Sequence, residues 1–345
     1  EWGTPCFLIP KKNGTVRFLT DFRKLNSKIK RKIYPLPNIS DILQTLQGLK
    51  YATTLDLNMG YYTIRLTAGA SNLCTVVTEF GTYEYLRLPM GISFAPDIFQ
   101  SKIARLLGDL EFVKAYFDDC LIVTKSSFDD HLEKLEAVLQ RLQMRNLKIN
   151  AEKSAFAVGE LEYLGYVITR EGIKPDPKKI QAILNLDRPK TKRDVRHLIG
   201  LVQYYRDLWE KRAHILAPFS NLIKGASKNG PIVWTDELEQ AFLQMKKMVV
   251  ADTLVAYPDF SKEFEIHTDA SDYQLGATIR QNGKPIAFFS RKLTGAQLNY
   301  TMTEKELLSI IECLKTFHTL LFGQRLVVWT DHKNLVTEAT ISQSQ

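Results

Sequence analysis

The sequence is short of cysteine, with four among 345 residues, at Cys6, Cys74, Cys120 and Cys313. None forms a Cys-x-x-Cys pair, so the common zinc-ligand spacings are excluded and no disulfide framework is indicated. Free thiols are the default in reducing compartments, and an intracellular setting is therefore expected. Cytoplasm and nucleus are both compatible with it.

The sequence also lacks a signal peptide and an apolar run of membrane-spanning length, so no membrane partner is expected. It has no initiator methionine and opens on Glu1, in what reads as the middle of a domain. We therefore expect a fragment of a longer chain. Hydrophobic residues make up 45% and charged residues 24%, which is typical of a globular protein and excludes disorder. The length suits two or three domains.

Acidic residues are in deficit, since 38 Asp and Glu face 46 Lys and Arg. The formal net charge is +8 and the isoelectric point is near 9.1. Excess positive charge favours a polyanionic partner such as a nucleic acid. Many basic proteins bind no nucleic acid, so the charge alone decides nothing.

Two adjacent acidic residues, Asp118 and Asp119, stand in the stretch "LEFVKAYFDDCLIVTKSS". The apolar and aromatic runs on either side predict buried strands, with the pair at the tip of a hairpin. Adjacent carboxylates repel and are costly to bury, and a divalent cation such as Mg²⁺ offsets that cost. An ordinary solvated Asp-Asp turn remains an open alternative.

A third acidic residue, Asp56, ends the strand-like run from Tyr51 to Leu57, and Gly60 then interrupts the pattern. A lone Asp at a strand end is usually a turn residue. Together with an Asp-Asp hairpin it matches the ligand set of two-metal phosphoryl transfer, in which ions about 3.5–4 Å apart hold the attacking and leaving oxygens.

Four motifs carry a resemblance to a known family: "LDLNMGYY", "LRLPMGISFAPDIFQ", "YFDD" and "ELEYLGYVI". Their order is that of reverse transcriptases, and the sequence resembles the polyprotein of Ty3/gypsy-type long-terminal-repeat retrotransposons from about Trp2 to about Leu335. The resemblance implies an α/β (α+β) fold: a right-hand fingers–palm–thumb polymerase followed by a partial ribonuclease-H-like domain.

The resemblance, together with a composition shift at Lys174, predicts four segments. Fingers and palm occupy 1–173, with fingers about 1–50 and 74–100. A helical thumb or connection follows over 174–230, where Thr191 and Asp194 have capping-box spacing with Asp in place of Glu or Gln. The last two segments are a tether over 231–260 and a ribonuclease-H-like domain over 261–345, truncated at its C-terminus.

For the polymerase, the resemblance implies that Asp56 and Asp118 bridge two metal ions and that Asp119 is the weaker outer ligand. Mg²⁺ is the expected ion, with Mn²⁺ as an alternative. The implied partners are deoxynucleoside triphosphates, an RNA or DNA template with its primer, and an RNA–DNA hybrid. The oligomeric state is not predicted.

Basic residues of the first hairpin are implied in triphosphate binding. The segment Pro5 to Asn26 predicts a hairpin around Asn13-Gly14. Arg17 matches the family's triphosphate-contacting arginine, and Lys11 or Lys12 would lie near it. Cationic donors of this kind stabilise charge on leaving pyrophosphate. A plain solvated hairpin is the alternative.

Three further residues receive roles from the resemblance. Tyr61 matches the steric gate, an aromatic ring that clashes with a 2′-hydroxyl and so favours deoxynucleotides; it could equally be a core aromatic. Met90 is assigned only packing near the nucleotide. Lys153 matches a lysine that donates a proton to pyrophosphate, or it is a plain surface lysine.

In the C-terminal segment, strand, hairpin, helix and strand follow in the order of ribonuclease H. Asp269 and Asp331 match the strand carboxylates and Glu306 the helix carboxylate, which would bind two metal ions. Glu306 has a rival role as the capping-box partner of Thr303. The family's further helices and fourth carboxylate are not found before Gln345, so nuclease activity is in doubt.

The sequence therefore predicts an RNA-directed DNA polymerase of a retrotransposon. The alternative is a catalytically silent, nucleic-acid-binding remnant of a decayed retroelement. A host polymerase such as telomerase is a third option, which the ribonuclease-H-like segment disfavours.

Overall fold

The computed structural model describes residues 3–11, 14–223, 230–251 and 253–336, which form a mixed α/β fold. The chain divides into two compact units. The first unit comprises Glu1–Ile42 and Gly48–Leu164, and the second comprises Leu43–Gln47 and Gly165–Gln345. Within the described residues, no helix is long and apolar enough to cross a membrane.

The first unit contains two four-stranded sheets, of order β2-β1-β4-β5 and β6-β7-β3-β8. The hairpin predicted around Asn13-Gly14 is confirmed, because β1 and β2 pair antiparallel. The strands of these sheets are β1 (Thr4–Pro10), β2 (Val16–Thr20), β3 (Tyr51–Asn58), β4 (Thr75–Thr78), β5 (Gly81–Glu84), β6 (Val113–Tyr116), β7 (Asp119–Thr124) and β8 (Lys148–Val158), and the short strand β9 (Leu161–Tyr163) lies outside both.

Two long helices cover the second of these sheets. They present buried apolar residues at helical spacing, such as Phe99, Ile103 and Leu107, to the strand residues Leu55 and Ile122. The helices from Arg23 to Met144 are α1 (Arg23–Asn26), α2 (Ile39–Gln44), α3 (Ala68–Leu73), α4 (Ala95–Leu107) and α5 (Phe128–Met144).

A buried histidine ties α5 to the sheet. His131 is fully buried, and its Nε2 lies 2.7 Å from Thr53 Oγ1 on β3. Its Nδ1 lies 2.9 Å from Thr124 Oγ1 on β7. Burial, with the Lys134 charge adding to it, lowers the pKa of His131. The neutral imidazole is therefore the form that this packing favours.

The described part of the second unit contains both strands and helices. Its strands are β10 (Tyr166–Ile168), β11 (Gly172–Pro175), β12 (Val255–Ala256), β13 (Phe264–Ala270), β14 (Gln274–Gln281), β15 (Lys284–Lys292) and β16 (Leu326–Trp329). Its helices are α6 (Pro177–Leu184), α7 (Lys192–Gln203), α8 (Arg212–Ile215), α9 (Ala217–Leu222), α10 (Asp236–Val250), α11 (Met302–Thr316) and α12 (His318–Leu321).

The segment predicted as a tether, 231–260, contains a packed helix. Helix α10 occupies its centre and buries five residues at helical spacing: Leu238, Ala241, Phe242, Met245 and Val249. The segment is therefore not an extended linker, and its role as a connection between domains stays a prediction. The Gly/Ser/Lys-rich stretch that precedes the segment, 224–229, lies outside the described residues.

The last sheet has the order β15-β14-β13-β16, with β13 and β16 parallel. Helix α11 packs on it through Cys313, which joins a core that includes Phe264, Ile266 and Leu275. The hairpin between β14 and β15 is confirmed, and Asn282 has the positive φ that such a turn requires.

Both capping questions raised by the sequence are answered. The capping box of Thr191 and Asp194 begins α7 as predicted. Helix α11 begins with a different box, formed by Thr301 and Glu304. Glu306 is therefore not a capping residue.

Candidate active sites

The β6–β7 hairpin positions the adjacent aspartates. Tyr116 pairs with Asp119, so the connection consists of Phe117 and Asp118 alone. Asp118 lies in the turn and Asp119 is the first residue of β7, which corrects the prediction that both lie at the tip. Phe117 has φ +51°, a left-handed conformation that is rare for a bulky residue and costs about 1–3 kcal/mol.

Strand β3 brings the third aspartate to the same place. Asp56 is the direct register partner of Asp119 across the β3–β7 ladder. The Leu57 backbone N–H donates to the Asp118 carbonyl oxygen at 2.8 Å. The fold therefore brings Asp56, which is distant in sequence, beside the adjacent Asp118 and Asp119 at one end of the sheet.

Electrostatic repulsion follows from this placement. Burial, together with the Asp119 and Asp56 charges, raises the pKa of Asp118 to about 6. The pKa of Asp119, the more exposed of the pair, is raised by desolvation and by Asp56, while Lys153 opposes the shift. Asp118 Oδ1 is buried and has no hydrogen-bond partner. A buried carboxylate oxygen normally accepts a hydrogen bond or binds a cation, so Asp118 Oδ1 is available to a ligand.

Gly60 provides the space beside that oxygen. A Cβ atom built on Gly60 would lie 2.4 Å from Phe99 Cζ and 2.9 Å from Asp118 Oδ1. Gly60 is buried and does not have a positive φ, so it is the absence of a side chain that matters here. The sequence marked Gly60 only as an interruption, and nothing in its pattern revealed this role.

These residues fit a divalent cation that takes part of its coordination from elsewhere. Among the described residues, no three His, Cys, Asp or Glu side chains form a ready-made metal-binding group. Asp118 nevertheless offers an unpartnered buried oxygen, and its neighbours supply negative charge. Carboxylates combined with phosphate and water oxygens are the usual way in which Mg²⁺ is held.

Two of the predicted substrate residues lie beside the aspartates. The Tyr61 ring packs 5.4 Å from the Phe99 ring. Burial and the Asp118 charge raise the pKa of Tyr61 to about 12, so the phenol stays neutral. Lys153 Nζ lies 3.9 Å from Asp56 Oδ2 and remains 67% exposed, which leaves it free to reach a ligand.

The other predicted substrate residues lie elsewhere. Lys11 and Arg17 are exposed and belong to the β1–β2 hairpin, in a different sheet from the aspartates. Lys12 falls outside the described residues. Met90 is half-buried in the segment between β5 and α4.

A second group of carboxylates lies on the last sheet. Asp269 is near the end of β13, and the parallel register with β16 runs toward Asp331. Glu306 on α11 is 2% exposed and its Oε1 accepts from the Ala270 N–H at 2.8 Å. Glu306 Oε2 is buried without a partner. This orphaned acceptor also fits a cation.

A lysine that the sequence did not indicate contacts this second group. Lys211 Nζ lies 3.3 Å from Asp269 Oδ2. It precedes α8, which is fixed to β15 because Arg212 Nη2 donates to the Ser290 carbonyl and the Ala213 N–H donates to Ser290 Oγ, each at 2.8 Å. A lysine some sixty residues from Asp269 carries no sequence signal for such a contact.

Two known families match separate parts of the chain. The family described as reverse transcriptase (RNA-dependent DNA polymerase) matches residues 9–168. The family described as an RNase H-like domain found in reverse transcriptase matches residues 234–328.

Curated relatives are polyproteins of transposable elements. The retrovirus-related Pol polyprotein from transposon 297 of Drosophila melanogaster is 36% identical over 343 residues, covering 97% of this chain and 32% of its own length. The transposon Tf2-3 polyprotein of Schizosaccharomyces pombe is 35% identical over 345 residues, covering 97% of this chain and 26% of its own length. The chain thus spans about a third or less of these relatives.

Solved structures show the same fold. The foamy viral protease-reverse transcriptase in complex with dsDNA is 26% identical, with a TM-score of 0.86 over 94% of this chain and 68% of that chain. The same viral enzyme in complex with an RNA/DNA hybrid gives 25% identity and a TM-score of 0.81 over 94% and 44%. The chain thus combines a segment that matches the reverse transcriptase family with a segment that matches an RNase H-like domain, and it is similar to retrotransposon Pol polyproteins over 97% of its length.

Proposed function

We propose that the chain performs template-directed DNA synthesis on an RNA or DNA template, using deoxynucleoside triphosphates. The observation that carries the proposal is the convergence of Asp56, Asp118 and Asp119, with the unpartnered Asp118 Oδ1 held beside Gly60. In the reaction the primer 3′-oxygen attacks the α-phosphate in line, and pyrophosphate leaves.

The three aspartates would hold the divalent ions. Asp56 and Asp118, with Asp119 as a weaker ligand, would hold two Mg²⁺ ions, or Mn²⁺ in their place. When bound, such ions stabilise the attacking and leaving oxygens. The raised pKa of Asp118 means that binding a cation relieves repulsion already present among the carboxylates.

The chain's other residues would act on the nucleotide. Arg17, with Lys11 or Lys12, would bind the triphosphate through the fingers hairpin. Tyr61 would exclude a 2′-hydroxyl, and its ring is supported by Phe99. Lys153 would give a proton to the leaving pyrophosphate, and its exposed ammonium beside Asp56 leaves it available for that step.

We propose that Asp269, Glu306 and Asp331 form a second divalent-metal site, directed at the RNA strand of an RNA–DNA hybrid. The orphaned Glu306 Oε2 supports it. Isothermal titration of Mn²⁺ into an Asp118→Asn chain, compared with Asp118→Asn/Glu306→Gln, tests this role without requiring nuclease activity. Equal binding by the two chains would contradict it.

An intracellular setting is part of the proposal. Cys6, Cys74, Cys120 and Cys313 are all free thiols, which suits a reducing compartment. The cytoplasm and the nucleus fit this observation equally.

Primer extension tests the polymerase proposal. Asp118→Asn should abolish extension with Mg²⁺ while leaving primer–template binding largely intact, because the change removes a metal ligand and no part of the duplex-binding surface. Asp129→Asn, an exposed aspartate at the start of α5, is the matched control. Comparable extension by Asp118→Asn and the parent would refute the assignment. A parent chain that binds primer–template but never extends it would favour the silent remnant.

A further inference from the structure

A glutamine on the buried face of α4 makes two hydrogen bonds to the hairpin that carries Asp118. Gln100 is only 3% exposed and shares its helix face with Ile103 and Leu107. Its Nε2 donates to the Ala115 carbonyl oxygen at 3.0 Å, and its Oε1 accepts from the Phe117 N–H at 2.7 Å. The backbone partners fix which end of the amide is which, since a carbonyl requires a donor and an N–H requires an acceptor.

The position of these bonds gives them their significance. Among the described residues, strand β6 is the edge strand of its sheet and pairs with β7 alone. The Gln100 amide therefore takes the place of a neighbouring strand along the free edge of β6. Edge groups buried without such a partner would be unsatisfied. The two bonds lie on either side of Tyr116, and the second reaches the first residue of the turn.

That residue, Phe117, is also the strained one. Its φ of +51° is unfavourable for a bulky side chain and persists only where the surroundings hold it. Asp118 follows it directly, and its Oδ1 is buried beside Gly60. Any relaxation at Phe117 therefore moves the Asp118 carboxylate.

We propose that Gln100 is a positioning residue for the polymerase site, holding Phe117 in its left-handed conformation so that Asp118 meets the metal ion. This rests on the proposed role of Asp118 as a ligand. Gln100 itself contacts neither substrate nor metal. The sequence signal for it is a polar residue at a core position of an amphipathic helix, which calls for buried hydrogen-bond partners.

Three variants separate positioning from general stability. Gln100→Met keeps the side-chain length and removes both hydrogen bonds. Gln100→Asn keeps the amide but is one methylene too short to reach both groups, and it serves if the methionine variant fails to fold. Ile103→Val is the control, because it trims the same buried helix face and touches no hydrogen bond of β6.

The experiment combines hydrogen exchange, Mn²⁺ binding and steady-state kinetics. In both Gln100 variants the Phe117 amide should exchange about tenfold faster or more. Mn²⁺ affinity and kcat should each fall about tenfold, while KM for the nucleotide changes little, because the fingers contacts are untouched. Ile103→Val should leave the Phe117 amide, Mn²⁺ affinity and kcat at parent values.

The experiment distinguishes a failure of this proposal from a failure of the metal-ligand assignment of Asp118. Faster Phe117 exchange with unchanged Mn²⁺ affinity and kcat would overturn the proposal and leave Gln100 as a structural residue only. Unchanged Mn²⁺ binding and extension in Asp118→Asn would instead refute the metal-ligand assignment on which the proposal rests.

Discussion

Gly60→Ala is the most informative single substitution, because one methyl group is placed against two different neighbours. The new Cβ would lie 2.4 Å from Phe99 Cζ and 2.9 Å from Asp118 Oδ1. Ordinary contact begins near 3.4 Å, so the carboxylate oxygen must move by about 0.5 Å and the ring by about 1 Å. Neither atom belongs to an exposed, freely moving side chain.

The magnitudes follow from these contacts. Overfilling a packed site costs about 1–3 kcal/mol, and the lower entropy of the unfolded chain with alanine returns about 0.4–1 kcal/mol. The net loss in the free energy of unfolding should be about 1–2 kcal/mol. A misplacement of 1 Å at a reacting centre can cost about a hundredfold in rate, so a 0.5 Å shift of Asp118 should lower kcat about tenfold.

The assay is primer extension with Mg²⁺ beside urea unfolding. Gly69→Ala is the control, since a Cβ on Gly69 in α3 meets nothing within 4 Å. Gly69→Ala should raise the free energy of unfolding slightly and leave kcat unchanged. Adding Phe99→Leu to Gly60→Ala should restore stability while kcat stays low, because the contact with Asp118 remains. Phe99→Leu alone must be measured, since its ring supports Tyr61.

The reasoning is refuted if Gly60→Ala behaves like Gly69→Ala in both measurements. Recovery of kcat by Phe99→Leu in the double variant would instead show that the ring, and not Asp118, carries the effect.

Three other perturbations test separate parts of the structure. Tyr61→Ala should raise ribonucleotide incorporation relative to deoxynucleotide incorporation in single-nucleotide extension, and an equal fall for both would make Tyr61 a packing residue. The pKa of His131 in the folded protein lies below its ordinary 6.5, so its contribution to the free energy of unfolding is complete above pH 6.5 and is lost as the pH falls through the folded-state pKa. In urea unfolding between pH 5 and 8, the free energy of unfolding should therefore depend on pH less steeply in His131→Gln than in the parent. Equal dependence on pH in the two chains would contradict this. Lys211→Ala should strengthen Mn²⁺ binding at Asp269 by at most about fivefold, because an exposed ion pair is worth about 1 kcal/mol or less. Titration of Mn²⁺ into an Asp118→Asn chain with and without Lys211→Ala measures the change. Weaker binding in the Lys211→Ala chain would contradict the prediction.

Much of the fold could be read from local sequence pattern. Short, continuous runs of apolar and aromatic residues predicted the strands around Asp56 and Asp119, because such runs are typical of strands that are buried in a sheet. Asn-Gly and helix-cap residues fixed the β14–β15 turn and the start of α7, since these preferences act within a few residues. Helix α10, within 231–260, was not predicted, although its apolar residues recur at helical spacing.

What the sequence alone determined was which residue types stand at which strand ends, and so the chemistry available to them. Only the tertiary structure decided which atoms meet. Strand register set Asp56 opposite Asp119, close packing left no room for a side chain at Gly60 beside Asp118, and helix α4 set Gln100 against the Phe117–Asp118 turn. The physical reason is that such contacts depend on register and packing between distant segments, which no local propensity encodes.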